Sequence, residues 1–149
     1  MFAPKKILVP TDFSKYSDKA LREAVDIAKM YGSKIYLLHV IDEYIQQYTV
    51  DYYIRAEVLK ELQRGSLKAS KDKLHEGINA VADAKKLDVE IDVKEGVPAE
   101  VILSEQKKKS IDLIVIASHG KTGILRNLIG SVTDKVVRGA RCPVIVIKP

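Results

Sequence analysis

The chain has 149 residues, enough for a sizeable core and the usual size of one domain, so residues 1–149 are read as a single domain. A hydrophobic fraction of 46%, mean hydropathy of −0.07 and no apolar run approaching about 18 residues exclude a membrane-spanning helix. The net charge of +5 permits an anionic partner without singling out nucleic acid, and the single Cys142 excludes an intrachain disulfide.

The opening MFAPKKILVPTDF lacks a signal-peptide layout, which makes the cytoplasm the expected location. Lys6 to Pro10 reads as the first strand. Thr11-Asp12-Phe13-Ser14 is a polar turn, with Ser17 the expected N-cap of a helix striped by Leu21, Ala24, Val25 and Ala28 and stopped at Gly32. Lys34 to Val40 is a second strand. Ile41 to Val50 reads as irregular, and Tyr44, Tyr48, Tyr52 and Tyr53 lie in or beside it, either covering a ligand or tacking down the loop.

A long helical segment is expected from Tyr52 to Lys86, with Leu67, Leu74, Ile78 and Val81 on its core face and a bend at Gly65-Ser66. Val89 to Lys94 alternates apolar and charged residues, the pattern of a half-exposed strand at a sheet edge. Gly96 and Pro98 punctuate before a short helix over Ala99 to Lys109. The basic run Lys107-Lys108-Lys109 at its end complements the helix dipole, and no aromatic residues interleave with it as a nucleic-acid surface would require.

Leu113-Ile114-Val115-Ile116 is an apolar run expected to be buried on both faces. The chain then breaks at Ala117-Ser118-His119-Gly120. Leu125, Leu128, Ile129, Val132 and Val136 resume at helical spacing, which predicts a helix carrying Gly130-Ser131 inside it. Pro143 to Ile147 is the last strand, and Cys142 just before it reads as an inert thiol. Strands alternating with helices predict an α/β fold: an open, mostly parallel five-stranded sheet with helices on both faces, its first and fourth strands central.

Ligands of such sheets bind beyond the strand carboxyl ends, where the strand order switches direction. Three segments land there: Pro10-Thr11-Asp12, His39-Val40-Ile41-Asp42, and Ala117 to Gly120. Glycines at a strand-to-helix turn let backbone N–H groups approach an anion, so a phosphate cradle is the functional reading, against a merely compact loop. Two sharper motifs are absent. Gly120-Lys121-Thr122 matches a P-loop tail, but Val115 stands where that motif needs its first glycine; no G-x-G-x-x-G occurs.

The chain resembles the universal stress protein family. Its ATP-binding members carry Gly-x2-Gly-x9-Gly-[Ser/Thr] after the fourth strand, matched here by Ala117, Gly120, Gly130 and Ser131, with alanine in place of the first glycine. ILVPTDFS, LLHVID, GVPAE and CPVIVIK extend the likeness over nearly the whole chain. It implies an adenine nucleotide alpha hydrolase-like fold and ATP, with or without magnesium, at the carboxyl edge of strands 1, 2 and 4. Asp12 would then meet the ribose or adenine region, the Val40 backbone the adenine edge, and the N–H groups of Gly120, Gly130, Ser131 and Val132 the phosphates. Pro10, Thr11 and Ala117 complete the expected site.

His119 is either a structural or phosphate-contacting side chain or a base; no nucleophile–base–orienter set is recognisable around it. His39 and His75 fall on separate elements, so no metal cluster is expected. The leading expectation is a small, non-enzymatic ATP-binding regulator of the stress response. A slow ATP-hydrolysing enzyme of the related fold is the alternative, and a nucleic-acid binder ranks third. The resemblance also implies a homodimer paired along the last strand.

Overall fold

The computed structural model describes residues 1–42, 56–121 and 128–149. Its elements, in order, are β1 (Lys6–Pro10), α1 (Lys15–Tyr31), β2 (Lys34–Asp42), α2 (Ala56–Ala80), a 3-10 turn (Ala84–Lys86), β3 (Val89–Gly96), α3 (Pro98–Lys108), β4 (Leu113–Ala117), α4 (Ser131–Gly139) and β5 (Val144–Ile147). All pairings are parallel, in the order β3-β2-β1-β4-β5. β1 is therefore in the middle with β4 beside it, as their unbroken apolar composition requires of strands covered on both faces.

Period-two alternation divides the strands between two cores. Ile7, Val9, Ile35, Leu37, Leu113 and Val115 pack against Ala20, Leu21, Ala24, Val25 and Ala28 of α1 and Leu74 of α2. Leu8, Leu38, Ile114 and Ile116 pack on the opposite face against Ala99 and Ile102 of α3 and Val136 of α4. β3 is an edge strand, as its alternating charge predicted.

The first helix starts earlier than expected. Ser14, not Ser17, is its N-cap: the Ser14 hydroxyl accepts the Ser17 N–H at 3.2 Å, and Ser17 turns its own buried hydroxyl back to the Ser14 carbonyl at 2.9 Å. The end is as predicted, with Gly32 left-handed at φ 66° and its N–H on the Ala28 carbonyl. β2 continues through Ile41 and Asp42, which had read as irregular, because β3 extends alongside them to Gly96. The remaining positions of that expected loop, with the four tyrosines, lie outside the described residues. The long helical segment is two pieces: α2 runs unbroken through Gly65-Ser66 to Ala80, and Asp83, left-handed at φ 68°, stands at the start of the separate 3-10 turn.

The larger departure follows β4. Leu128 and Ile129 are not helical and are exposed, and α4 begins only at Ser131. Gly130 is its N-cap, extended at φ −61°, ψ 154°, and not an interior helix residue. Its N–H donates to the Ser118 carbonyl at 2.7 Å, a bond back to the end of β4 that a helix running through Gly130 could not make. Leu125 lies outside the described residues. Among the described residues no helix is long and apolar enough to cross a membrane.

Candidate functional site

Where the strand order reverses, between β1 and β4, the carboxyl ends open into a cleft of about 780 Å³. Pro10, Thr11, Asp12, Val40, Ala117, His119, Gly120, Gly130, Ser131 and Val132, the ten residues expected in the site, all line it. One side is polar, built from the turn after β1, the loop after β4 and the first turn of α4. The other is apolar, with Val40 and Ile41 of β2, Leu59 and Leu62 of α2, and Pro98 and Ile102 of α3. The contributions of α2 and α3 were missed in the sequence. Leu59, Leu62, Ser66 and Ser70 repeat at helical spacing and could have been read as one stripe with Leu67 and Leu74, but nothing in the spacing says that this end overhangs a cleft.

The β2 wall offers a backbone edge. In a parallel strand successive residues direct their N–H and C=O to alternate sides. Lys34 N–H bonds the Lys5 carbonyl and the Leu38 carbonyl accepts the Thr11 N–H at 2.8 Å, so even-numbered residues of β2 face β1. Pairing with β1 ends at Pro10 opposite Leu38. Val40, two residues further, therefore presents its N–H and C=O past the end of β1, toward the cleft.

The floor of the polar side is held from both strands. His39 Nδ1 lies 2.8 Å from the Thr11 carbonyl, which can only accept, so that nitrogen carries the proton; the ring stacks on Phe13 with centroids 4.2 Å apart. Burial pushes the His39 pKa below its ordinary value, so the ring is neutral. Asp12 Oδ1 accepts the Ser14 N–H at 3.0 Å and Oδ2 accepts the Lys121 N–H at 2.9 Å. Burial pushes this carboxyl up, but the Ser14 hydroxyl and N–H, the Lys121 N–H and the Ser17 hydroxyl together outweigh it and hold the pKa below its ordinary value. Asp12 is ionised and acceptor-only.

β4 and α4 are stapled together. Besides the Gly130 N–H on the Ser118 carbonyl, Thr133 turns its hydroxyl to the Ala117 carbonyl at 2.7 Å and not to the helix end. α4 thus has no side-chain cap. Ser131, Val132 and Thr133, whose N–H groups no turn of helix precedes, line the cleft. The helix dipole adds to that partial positive charge. Ala117 is buried and its methyl belongs to the core beside α1, which explains why this position holds alanine where the resemblance has glycine. His119 does have a neighbour of catalytic type: its Nδ1 lies 2.8 Å from the buried Ser118 hydroxyl. Sequence adjacency alone could not establish that contact.

Elsewhere, burial raises the Cys142 thiol pKa, so the group stays protonated and a poor nucleophile. Lys109 bonds Glu90 at 3.0 Å, and Lys108 and Lys109 both pair with the buried Glu105 at 3.8 Å. Two of the three cations in the only basic run are therefore engaged within the protein. Among the described residues no group of three His, Cys, Asp or Glu side chains could hold a metal ion.

Comparison with known proteins agrees with this fold. The universal stress protein family profile matches residues 4–148. Universal stress protein MJ0531 of Methanocaldococcus jannaschii is 35% identical over 149 residues, covering 97% of this chain and 82% of that protein. The solved structure of MJ0577 from the same organism superposes with a TM-score of 0.85 at 31% identity, over 99% of this chain and 98% of that one. A universal stress protein from Archaeoglobus fulgidus in complex with dAMP shares the fold, with a TM-score of 0.56 at 22% identity over 99% and 98% of the two chains. From the strand order, the site at its switch point and the match over nearly its whole length, the chain belongs to the universal stress protein family.

Proposed function

We propose that the cleft holds an adenine nucleotide, ATP foremost, and that the protein is a small nucleotide-binding regulator of the stress response. The observation that carries this reading is the uncapped first turn of α4 opening into the same cleft as the Val40 backbone, which lies beyond the last residue of β2 paired with β1. An uncapped helix start suits phosphate oxygens. An N–H beside a C=O suits N1 and the exocyclic amine of adenine, which accept and donate in that arrangement. Between them Asp12, which only accepts, suits sugar hydroxyls and repels phosphate. His119 and the backbone at Gly120 flank the phosphate side, with Pro10, Thr11 and Ala117 as walls. The volume lies within the roughly 300–1,000 Å³ of small-molecule sites. That a protein of the same fold is known in complex with dAMP supports the same ligand class. Magnesium would arrive with the triphosphate.

Mass spectrometry of the ligand extracted from freshly purified protein tests the proposal. An adenine nucleotide is the expected result; equal calorimetric affinity for GTP and ATP would remove the role given to Val40. The nucleotide is read as held and not rapidly cleaved, since both Asp12 oxygens are already engaged by backbone N–H groups. One observation favours a second reading: the Ser118–His119 contact places an imidazole at the cleft that could serve a slow hydrolase. The proposal extends to a homodimer through β5, an edge strand with Ile145 exposed, whose Val144 and Val146 backbone faces away from β4.

A further inference from the structure

We propose that Asp12 and Gly120 form one latch across the crevice: Asp12 positions the backbone after β4 for the phosphate half of the site, and residue 120 is glycine because the carboxylate occupies the place of a side chain. The proposal rests on the adenine-nucleotide reading for its consequence in binding, and on the ligand-free geometry for the latch itself.

A Cβ added at Gly120 would lie 2.5 Å from Asp12 Oδ2 and 3.6 Å from Cγ, closer than real contacts allow. Such a collision is cheap when the neighbour can swing aside, and this one cannot. Oδ2 accepts the Lys121 N–H at 2.9 Å, and Oδ1 accepts the N–H of Ser14, the residue that caps α1. Rotating the carboxylate away breaks the bond to Lys121 or the one to Ser14, and each is a hydrogen bond to a charged acceptor. Gly32, Gly65 and Gly77 have nothing within 4 Å of the corresponding point, and at Gly139 the close neighbour is the apolar Leu103 side chain, which no hydrogen bond fixes; at 120 the neighbour is a carboxylate held by two backbone N–H groups.

The latch joins the ends of the two strands whose parting makes the site. It holds Gly120 and Lys121 against the turn after β1, so the phosphate-facing backbone is in place before a ligand enters. Each carboxylate oxygen keeps further acceptor capacity, so a sugar hydroxyl can add to the same group. Asp12 then acts on two parts of the ligand, directly on the sugar and through Gly120–Lys121 on the phosphates.

A double-mutant cycle separates this from a glycine required by the phosphate. Gly120→Ala, Asp12→Ala and the double variant are compared by thermal unfolding without ligand, by hydrogen exchange at the Lys121 amide, and by calorimetry with ATP. In the presence of Asp12, Gly120→Ala is expected to lower Tm and to weaken ATP about tenfold or more, the effect of straining a charge-assisted hydrogen bond. In the Asp12→Ala background the same alanine should change Tm little and affinity by less than about twofold. The Lys121 amide should lose protection in every chain lacking the carboxylate. Equal losses from Gly120→Ala in both backgrounds, or a Lys121 amide equally protected without Asp12, would overturn the latch. If Asp12→Ala does not fold, Asp12→Ser keeps a cap for the Ser14 N–H while vacating the space, and the cycle is read in that background. A wild-type chain that binds no ATP would refute the nucleotide reading, and the unfolding and exchange arms would still decide the latch.

Discussion

The phosphate site can be tested by removing a single donor from the start of α4. Gly130→Val is unsuited to this, because a Cβ at Gly130 already meets the Ser118 carbonyl at 3.3 Å; the variant would disturb the staple between β4 and α4 as well as the ligand. Ser131→Pro is cleaner. Ser131 is the first helical residue and is exposed, so its N–H has no intrahelical partner to lose. Proline also constrains the preceding residue to extended backbone, and Gly130 already has φ −61°, ψ 154°. Stability should therefore be unchanged or raised by up to about 1 kcal/mol through the unfolded chain. Binding should lose one N–H from an anion, about 1.5–3 kcal/mol, which is roughly 10- to 100-fold in Kd. Calorimetry with ATP, AMP and adenosine reads the effect. The phosphorylated ligands should weaken while adenosine, which has nothing to place at α4, holds its affinity. A folded Ser131→Pro chain with unaltered ATP affinity, or one that loses adenosine equally, would refute the assignment of phosphate to this helix.

Three further outcomes are expected. The folded pKa of Asp12 is lowered, so the stability its carboxylate contributes is present above the unfolded value near 3.8 and is lost as pH falls through the folded value below it; acid-unfolding curves of wild type and Asp12→Ala should differ at neutral pH and converge below about pH 4, and a constant gap would contradict the ionic role. Steady-state ATP cleavage should stay well under about 1 per second; a rate of that order, abolished in His119→Ala, would make the Ser118–His119 pair catalytic. Val146→Pro should dissociate the dimer without loosening β5 from β4: Pro143 and Ile147 carbonyls serve β4, so the Val146 N–H lies on the open edge. Sedimentation of wild type at 16.6 kDa, rather than twice that mass, would dismiss the dimer itself.

Local composition was enough for much of the architecture. Strands covered on both faces must be apolar at every position, which marked β1 and β4 as interior; a strand covered on one face alternates, which marked β3 as an edge. The stripe of α1 and the left-handed stop at Gly32 are likewise properties of neighbouring residues. The ten expected site residues fell together because in a parallel sheet every segment after a strand arrives at the same edge, whatever its distance along the chain.

What only the tertiary structure decided are the contacts between those segments. Leu128, Ile129, Val132 and Val136 satisfy a helical period, yet the bond from Gly130 N–H to the Ser118 carbonyl overrides it and places a helix start without a side-chain cap at the cleft. Periodicity cannot register that, since the partner lies outside the window. The carboxylate of Asp12 reaches the Lys121 amide across 109 positions and makes glycine necessary at 120. In the sequence alone that glycine looked as though it served a ligand, because the side chain that fills its space is named only when the sheet brings the ends of β1 and β4 together.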